Sequence, residues 1–153
     1  MLFRSRAVWN GRARLAASSG LHIARIEHLL GRYGTAVTEI LDLIAADRSL
    51  AQPLAGAEDY LCAEVVYAAG FEGATHLDDV LARRMRVSFE TFDRGVGAAR
   101  PTAELMAGVL DWDKERIDRE VGHYEAQILA ERESQRQPDD QSADAVRLAV
   151  SEI

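Results

Sequence analysis

One stretch, Glu64 to Arg86 (EVVYAAGFEGATHLDDVLARRMR), constrains the fold more than any other. It opens as an apolar helical run with one acid, Glu64, in its middle, and Gly70 and Gly73 then break the run. Thr75 and Asp78 have the T-x-x-D form of a capping box, so the Thr75 hydroxyl is expected to satisfy an orphan amide. That cap predicts a second helix from His76 to about Arg84. Asp78 and Asp79 then sit at its positive end, and Arg83, Arg84 and Arg86 at its negative end. Each placement favours the macrodipole by roughly 0.3–1 kcal/mol when exposed. The stretch therefore reads as a helical corner with an acid on one arm and an arginine cluster on the other.

The rest of the chain repeats helical spacing. Ala7 to Ala17 reads as a short helix closed by Ser18-Ser19-Gly20. Ile23, Ile26, Leu29, Leu30 and Tyr33 form one stripe, ended by a Gly34 C-cap, and Val37, Ile40, Leu41 and Ile44 form the next. A loop is expected over 47–59, with turn chemistry at Pro53 and Gly56. Tyr60 to Ala69 is apolar nearly all round, as a helix buried on most sides is. Val87, Phe89 and Phe92 lead to a stop at Gly95 and Gly97. Pro101 suits the first turn of a short helix bearing Leu105, Met106, Val109 and Leu110. Asp111 or Asp113 caps a last long helix with Ile117, Val121, Tyr124 and Ile128 buried. The pairs Glu115–Arg119 and Arg116–Glu120 are expected on its wet side. From about Ser134 the chain turns polar. The expectation is thus an all-α orthogonal bundle of about six to eight helices over residues 7–134, a junction at 1–6 and a disordered acidic tail at 135–153.

Composition narrows the function classes. A formal charge of −7 argues against nucleic-acid binding, and RRMR is too short a basic run to reverse that. One cysteine, Cys62, excludes an internal disulfide and suits a reducing cytoplasm. No apolar run approaches the ~18 residues a membrane-spanning helix needs. Residues 1–26 hold five arginines and no acid, the bias of a mitochondrial transit peptide. The other reading is a folded segment behind a foreign start at 1–6.

The chain carries no G-x-G-x-x-G, no G-x-x-x-x-G-K-[ST] and no H-E-x-x-H. Cys62 lies in a buried-looking helix and reads as packing. His22, His28, His76 and His123 lie among polar residues and read as surface or capping histidines rather than metal ligands. Asp78 and Asp79 are accounted for by helix-end electrostatics. Glu64 is different, because an acid in LCAEVVYAAG needs a partner. An arginine fork from Arg83, Arg84 or Arg86 would supply one, making an internal clamp. The other readings of the arginines are an outward docking surface and plain solvated charge.

The segment YLCAEVVYAAGFEGATHLDDVLARRMRVSFETFDRGVG resembles the C-terminal helical domain of FAD-dependent glycerol-3-phosphate dehydrogenases. There an AEVVYA-like helix leads into a T-LDDVL-RRTR-like helix. The flanks WNGRARLAASSGLHIARIEHLLGRYG and AELMAGVLDWDKERIDREVGHYEAQI agree, extending the resemblance over about residues 8–134. Since WNGRARLAASSGL belongs to its pattern, the resemblance implies a folded segment behind a foreign start at 1–6 rather than a transit peptide. It implies an accessory domain, with FAD and glycerol 3-phosphate held by a larger preceding domain that Glu64, Arg83, Arg84 and Arg86 brace or dock. It assigns this chain no catalytic residue, cofactor or metal. It also implies a possible homodimer and a cytoplasmic enzyme, at most peripheral to the membrane. Met85 replaces a usual threonine, Gly70 and Phe71 replace more polar residues, and Cys62 replaces a frequent arginine. The alternative is a free-standing helical interaction module derived from that domain.

Overall fold

The computed structural model describes residues 7–150; the junction expected at 1–6 lies outside the described residues, as do residues 151–153. Among the described residues the fold is all-α apart from one two-stranded hairpin. The chain divides into two compact units, one through Gln52 and one from Pro53 onward, where the sequence reads as one helical body.

In the first unit the helix expected over Ala7–Ala17 is interrupted at Gly11 and resumes as α1, Arg12–Ser19. Helix α2, Ile23–Tyr33, starts where the His22 ring accepts a hydrogen bond from the Ala24 amide at 3.2 Å. It buries Ile26, Leu29 and Leu30. Gly34, at φ 56°, donates its amide to the Leu30 carbonyl, and a 3-10 turn leads into α3, Val37–Ala46. That helix buries Val37, Ile40 and Ile44. The expected stripes are therefore present, each fully buried aliphatic side chain contributing about 1.5–3 kcal/mol before chain entropy. An Arg12–Glu27 pair at 2.9 Å ties α1 to α2.

The second unit begins with an antiparallel hairpin, β1 Pro53–Leu54 and β2 Ala57–Leu61, in place of the expected loop. Its strands are too short to show a period-2 pattern, yet Leu54, Ala57, Tyr60 and Leu61 all point inward. Gly56 turns the hairpin at φ 82°, and a Cβ there would lie 2.5 Å from the Gly97 backbone carbon. Helix α4, Cys62–Phe71, follows. The corner helix then opens at Leu77 and winds as a π-helix over Asp79–Arg84, with the Met85 amide bonded to the Val80 carbonyl at 2.8 Å.

A short α5, Val87–Glu90, precedes α6, Val96–Leu110. Pro101 therefore lies inside α6 and not in its first turn, leaving the Gly97 carbonyl without its usual amide donor. Asp113 caps α7, Lys114–Ser134, accepting from the Arg116 amide. Helix α4 packs on α6, and α6 on α7. Their alanines (Ala68, Ala69, Ala98, Ala99, Ala103) allow close approach around a core that includes Leu77, Leu81, Met85, Met106 and Tyr124.

Residues 140–148 depart from the expected disordered tail. They form α8, Asp140–Leu148, which packs on α7 and buries Ala143. Asp139 caps it by accepting from the Ser142 amide, and Arg147 reaches the Ser134 hydroxyl. A polar segment needs little apolar area to order when its helix ends are satisfied and a neighbouring helix supports it.

Candidate functional site

The corner gathers the polar chemistry of the second unit. A cleft of about 290 Å³ opens there, lined by His76, Leu77, Asp78, Asp79, Arg83, Glu120, His123, Tyr124 and Gln127. Its floor is Glu120, projecting from the middle of α7 and only 1% exposed. Helical spacing alone puts this residue on the wet face of α7. Its partner Arg116 is the one expected, at 2.5 Å, but the pair is drawn inward. The Glu120 carboxylate also accepts from the Leu77 amide at 3.0 Å and meets His76 Nδ1 at 2.9 Å.

Helix-end chemistry explains the arrangement. The first amides of a helix have no partner within it. Here the Thr75 and His76 amides go to Asp79 Oδ2, at 3.1 and 3.0 Å, and the Leu77 amide goes to Glu120. The capping acid is thus Asp79 reaching back, not the Thr75 hydroxyl paired with Asp78. A carboxylate accepts two amides at once, which one hydroxyl in that position does less well. At His76, Arg116 lies 3.2 Å from the same Nδ1. An arginine only donates and a carboxylate only accepts, so Nδ1 can serve one of the two at a time.

Glu64 is fully buried, as its surroundings demanded. Its Oε2 accepts from the Leu61 amide at 2.8 Å, the backward half of a capping box at the start of α4. Each of the arginines named with it has a partner near the corner. Arg83, 71% exposed, pairs with Asp78 at 3.3 Å and Asp79 at 3.2 Å. Arg84 donates to the Glu72 carbonyl at 2.9 Å. Arg86 has a left-handed backbone, φ 64°, and lies over the Phe89 ring at 5.9 Å. Met85 fills the core, where a hydroxyl would have faced apolar neighbours.

Burial pushes the Cys62 thiol up from its ordinary value, opposite to what a nucleophile needs. Burial likewise raises Tyr124, whose hydroxyl donates to the Arg94 carbonyl at 2.7 Å. Among the described residues no group of three or more His, Cys, Asp or Glu is placed to hold a metal. A flavin dinucleotide does not fit here either. Its pyrophosphate seeks free amides at a helix start, and those of Thr75, His76 and Leu77 are taken by carboxylates. No described helix is long and apolar enough to cross a membrane.

Comparisons with known proteins give the chain its family. Residues 4–117 match the family described as the C-terminal domain of alpha-glycerophosphate oxidase. Glycerol-3-phosphate dehydrogenase 2 of Mycobacterium tuberculosis is 49% identical over 146 residues, covering 95% of this chain and 25% of that protein. Glycerol-3-phosphate dehydrogenase of Mycobacterium leprae gives the same identity and coverage. A mitochondrial glycerol-3-phosphate dehydrogenase of Arabidopsis thaliana is 33% identical over 98 residues, 64% of this chain and 15% of that protein. No solved structure matches. The chain thus spans about a quarter of the length of these mycobacterial relatives. With its helical corner, its internally satisfied helix starts and a match over most of its length, this chain belongs to the family of C-terminal domains of alpha-glycerophosphate oxidase.

Proposed function

We propose that the chain acts as the C-terminal accessory domain of an FAD-dependent glycerol-3-phosphate dehydrogenase, bracing a separate flavin- and substrate-binding part and doing no chemistry alone. The observation that carries this reading is coverage. The mycobacterial relatives use 95% of this chain and only a quarter of their own length. The occupied amides of the corner and the absence of a nucleotide motif support it. On this reading the parent reaction is oxidation of glycerol 3-phosphate to dihydroxyacetone phosphate, with electrons leaving through FAD to a quinone or oxygen. A cytoplasmic enzyme, peripheral to the membrane at most and able to dimerise, follows from the same reading. On this reading the exposed arginines of the corner, Arg83, Arg84 and Arg86, face that larger part.

A contiguous apolar patch of several hundred Å² on the isolated chain would distinguish an accessory domain from a free-standing module with a polar surface. Two measurements test the proposal. The 153-residue chain alone should retain no FAD on desalting and reduce no dye with glycerol 3-phosphate. Deleting the matching segment from an intact dehydrogenase should lower the temperature at which flavin is released. Flavin bound by this chain alone, or an unchanged release temperature, would overturn it.

A further inference from the structure

The segment from Arg86 to Gly95, α5 and the loop after it, does something no core needs: it holds two phenylalanines in solvent on a fixed backbone. Phe89 is 68% exposed and Phe92 fully exposed. Arg86 and Arg94, at φ 64° and 60°, bracket them in a left-handed conformation uncommon outside glycine. The loop is nonetheless tied down throughout. Thr91 donates its hydroxyl to the Val87 carbonyl and accepts from the Gly95 amide. Asp93 accepts from the Gly95 and Gly97 amides. Arg94 pairs with Glu131 at 2.7 Å.

The acids of the loop are engaged locally, Glu90 with the Tyr60 hydroxyl and Asp93 with backbone amides. Two guanidiniums stay beside the aromatics: Arg86 over the Phe89 ring, and Arg132, whose NH2 donates to the Phe92 carbonyl. The result is a rigid aromatic ridge with a cationic edge on a chain of net charge −7. Aromatic and arginine side chains presented without ordering cost are the anchors that protein interfaces use.

We propose that the Phe89–Phe92 ridge is the anchor by which this domain docks the flavin-binding part of its own enzyme, on an apolar depression rimmed by carboxylates. The inference rests on the accessory-domain reading and adds to it the surface and the partner's chemistry. The cationic edge sets the sign of the rim. The three-quarters of the relatives' length that this chain does not span supplies the occupant.

The test places Phe89→Ser with Phe92→Ser, and separately Arg86→Glu with Arg132→Glu, in the intact dehydrogenase polypeptide carrying this domain. Thermal unfolding and limited proteolysis are followed, with melts of the isolated 153-residue chain as control. The expected result is one coupled unfolding transition in the wild type. The phenylalanine variant should split it in two and speed interdomain cleavage roughly tenfold or more. The charge variant should do so less, with a dependence on salt, and both isolated chains should melt close to wild type. A wild type that already unfolds as two independent transitions would overturn the bracing reading and the ridge together. A coupled wild type left coupled by the phenylalanine variant would overturn the ridge alone. So would variants whose only effect is on self-association or on sedimentation with anionic vesicles, which would assign the ridge to a second copy or to a lipid surface.

Discussion

Glu64 in α4 and Glu120 in α7 are hidden from solvent to the same degree, yet they were reached by opposite routes. Glu64 satisfies the Leu61 amide, three residues away, from inside an apolar run. Its burial is visible in the letters around it. Glu120 satisfies the Leu77 amide, 43 residues away, from a stretch that reads REVGHYE. Its local partner, Arg116, is the i, i+4 pairing of an ordinary wet face. Burial of an acid is therefore decided by which backbone group needs an acceptor. That group can be local or distant.

Substitutions can break this comparison. The largest effect is expected at Glu120. Glu120→Ala removes the acceptor of the Leu77 amide and strands Arg116, and it should cost about 3–5 kcal/mol in urea unfolding. Had the wet-face reading been right, the loss would stay under about 0.5 kcal/mol. Glu64→Ala should follow, at roughly 2–3 kcal/mol, with Glu64→Gln recovering part because its amide oxygen still accepts from Leu61. A Glu64→Ala chain that melts like wild type would show the buried acid to be dispensable.

Thr102 sharpens the comparison with the opposite sign. Its side chain is fully buried in α6 and its hydroxyl has no hydrogen-bond partner. Thr102→Val keeps the shape and removes an unsatisfied group, so the denaturation midpoint should hold or rise, by up to about 1 kcal/mol in stability. A fall of that size would mean the hydroxyl is used.

Asp93 offers a test by pH. Burial raises its carboxyl, but hydrogen bonds from the Gly97 and Gly95 amides outweigh this and hold it below its ordinary 3.8. A folded-state value below the unfolded one gives stabilisation that is complete above the unfolded value and lost as pH falls through the folded one. The stability gap between wild type and Asp93→Asn should be flat near neutrality and close below about pH 4. A gap that widens in acid would reverse the assignment. The smallest effect belongs to Arg83→Ala. This exposed pair with Asp78 and Asp79 should be worth no more than about 0.5 kcal/mol. A multi-kcal loss would show Arg83 to brace the corner rather than to sit in a solvated pair.

Much of the fold was legible in the chain. The stripes of α2, α3 and α7, the Gly34 stop and the Asp113 cap all rest on neighbours within four or so residues. The hairpin, the π-helical turn and α8 were not legible. Two- and five-residue strands are too short to show a period, and a π turn uses the same residues as an α turn. The site divided along the same line. Asp78, Asp79 and Arg83 were placed correctly at the ends of the corner helix, while Glu120, Arg116, His123 and Gln127 reached the cleft from a helix far along the chain.

Helical spacing, end-capping residues and a buried Glu64 were written into the order of amino acids, because each depends on atoms a turn or less away. Which acid would close the corner, and which aromatics would stay in water, were settled when distant helices met. Unpaired amides and apolar faces acquire their partners only in three dimensions.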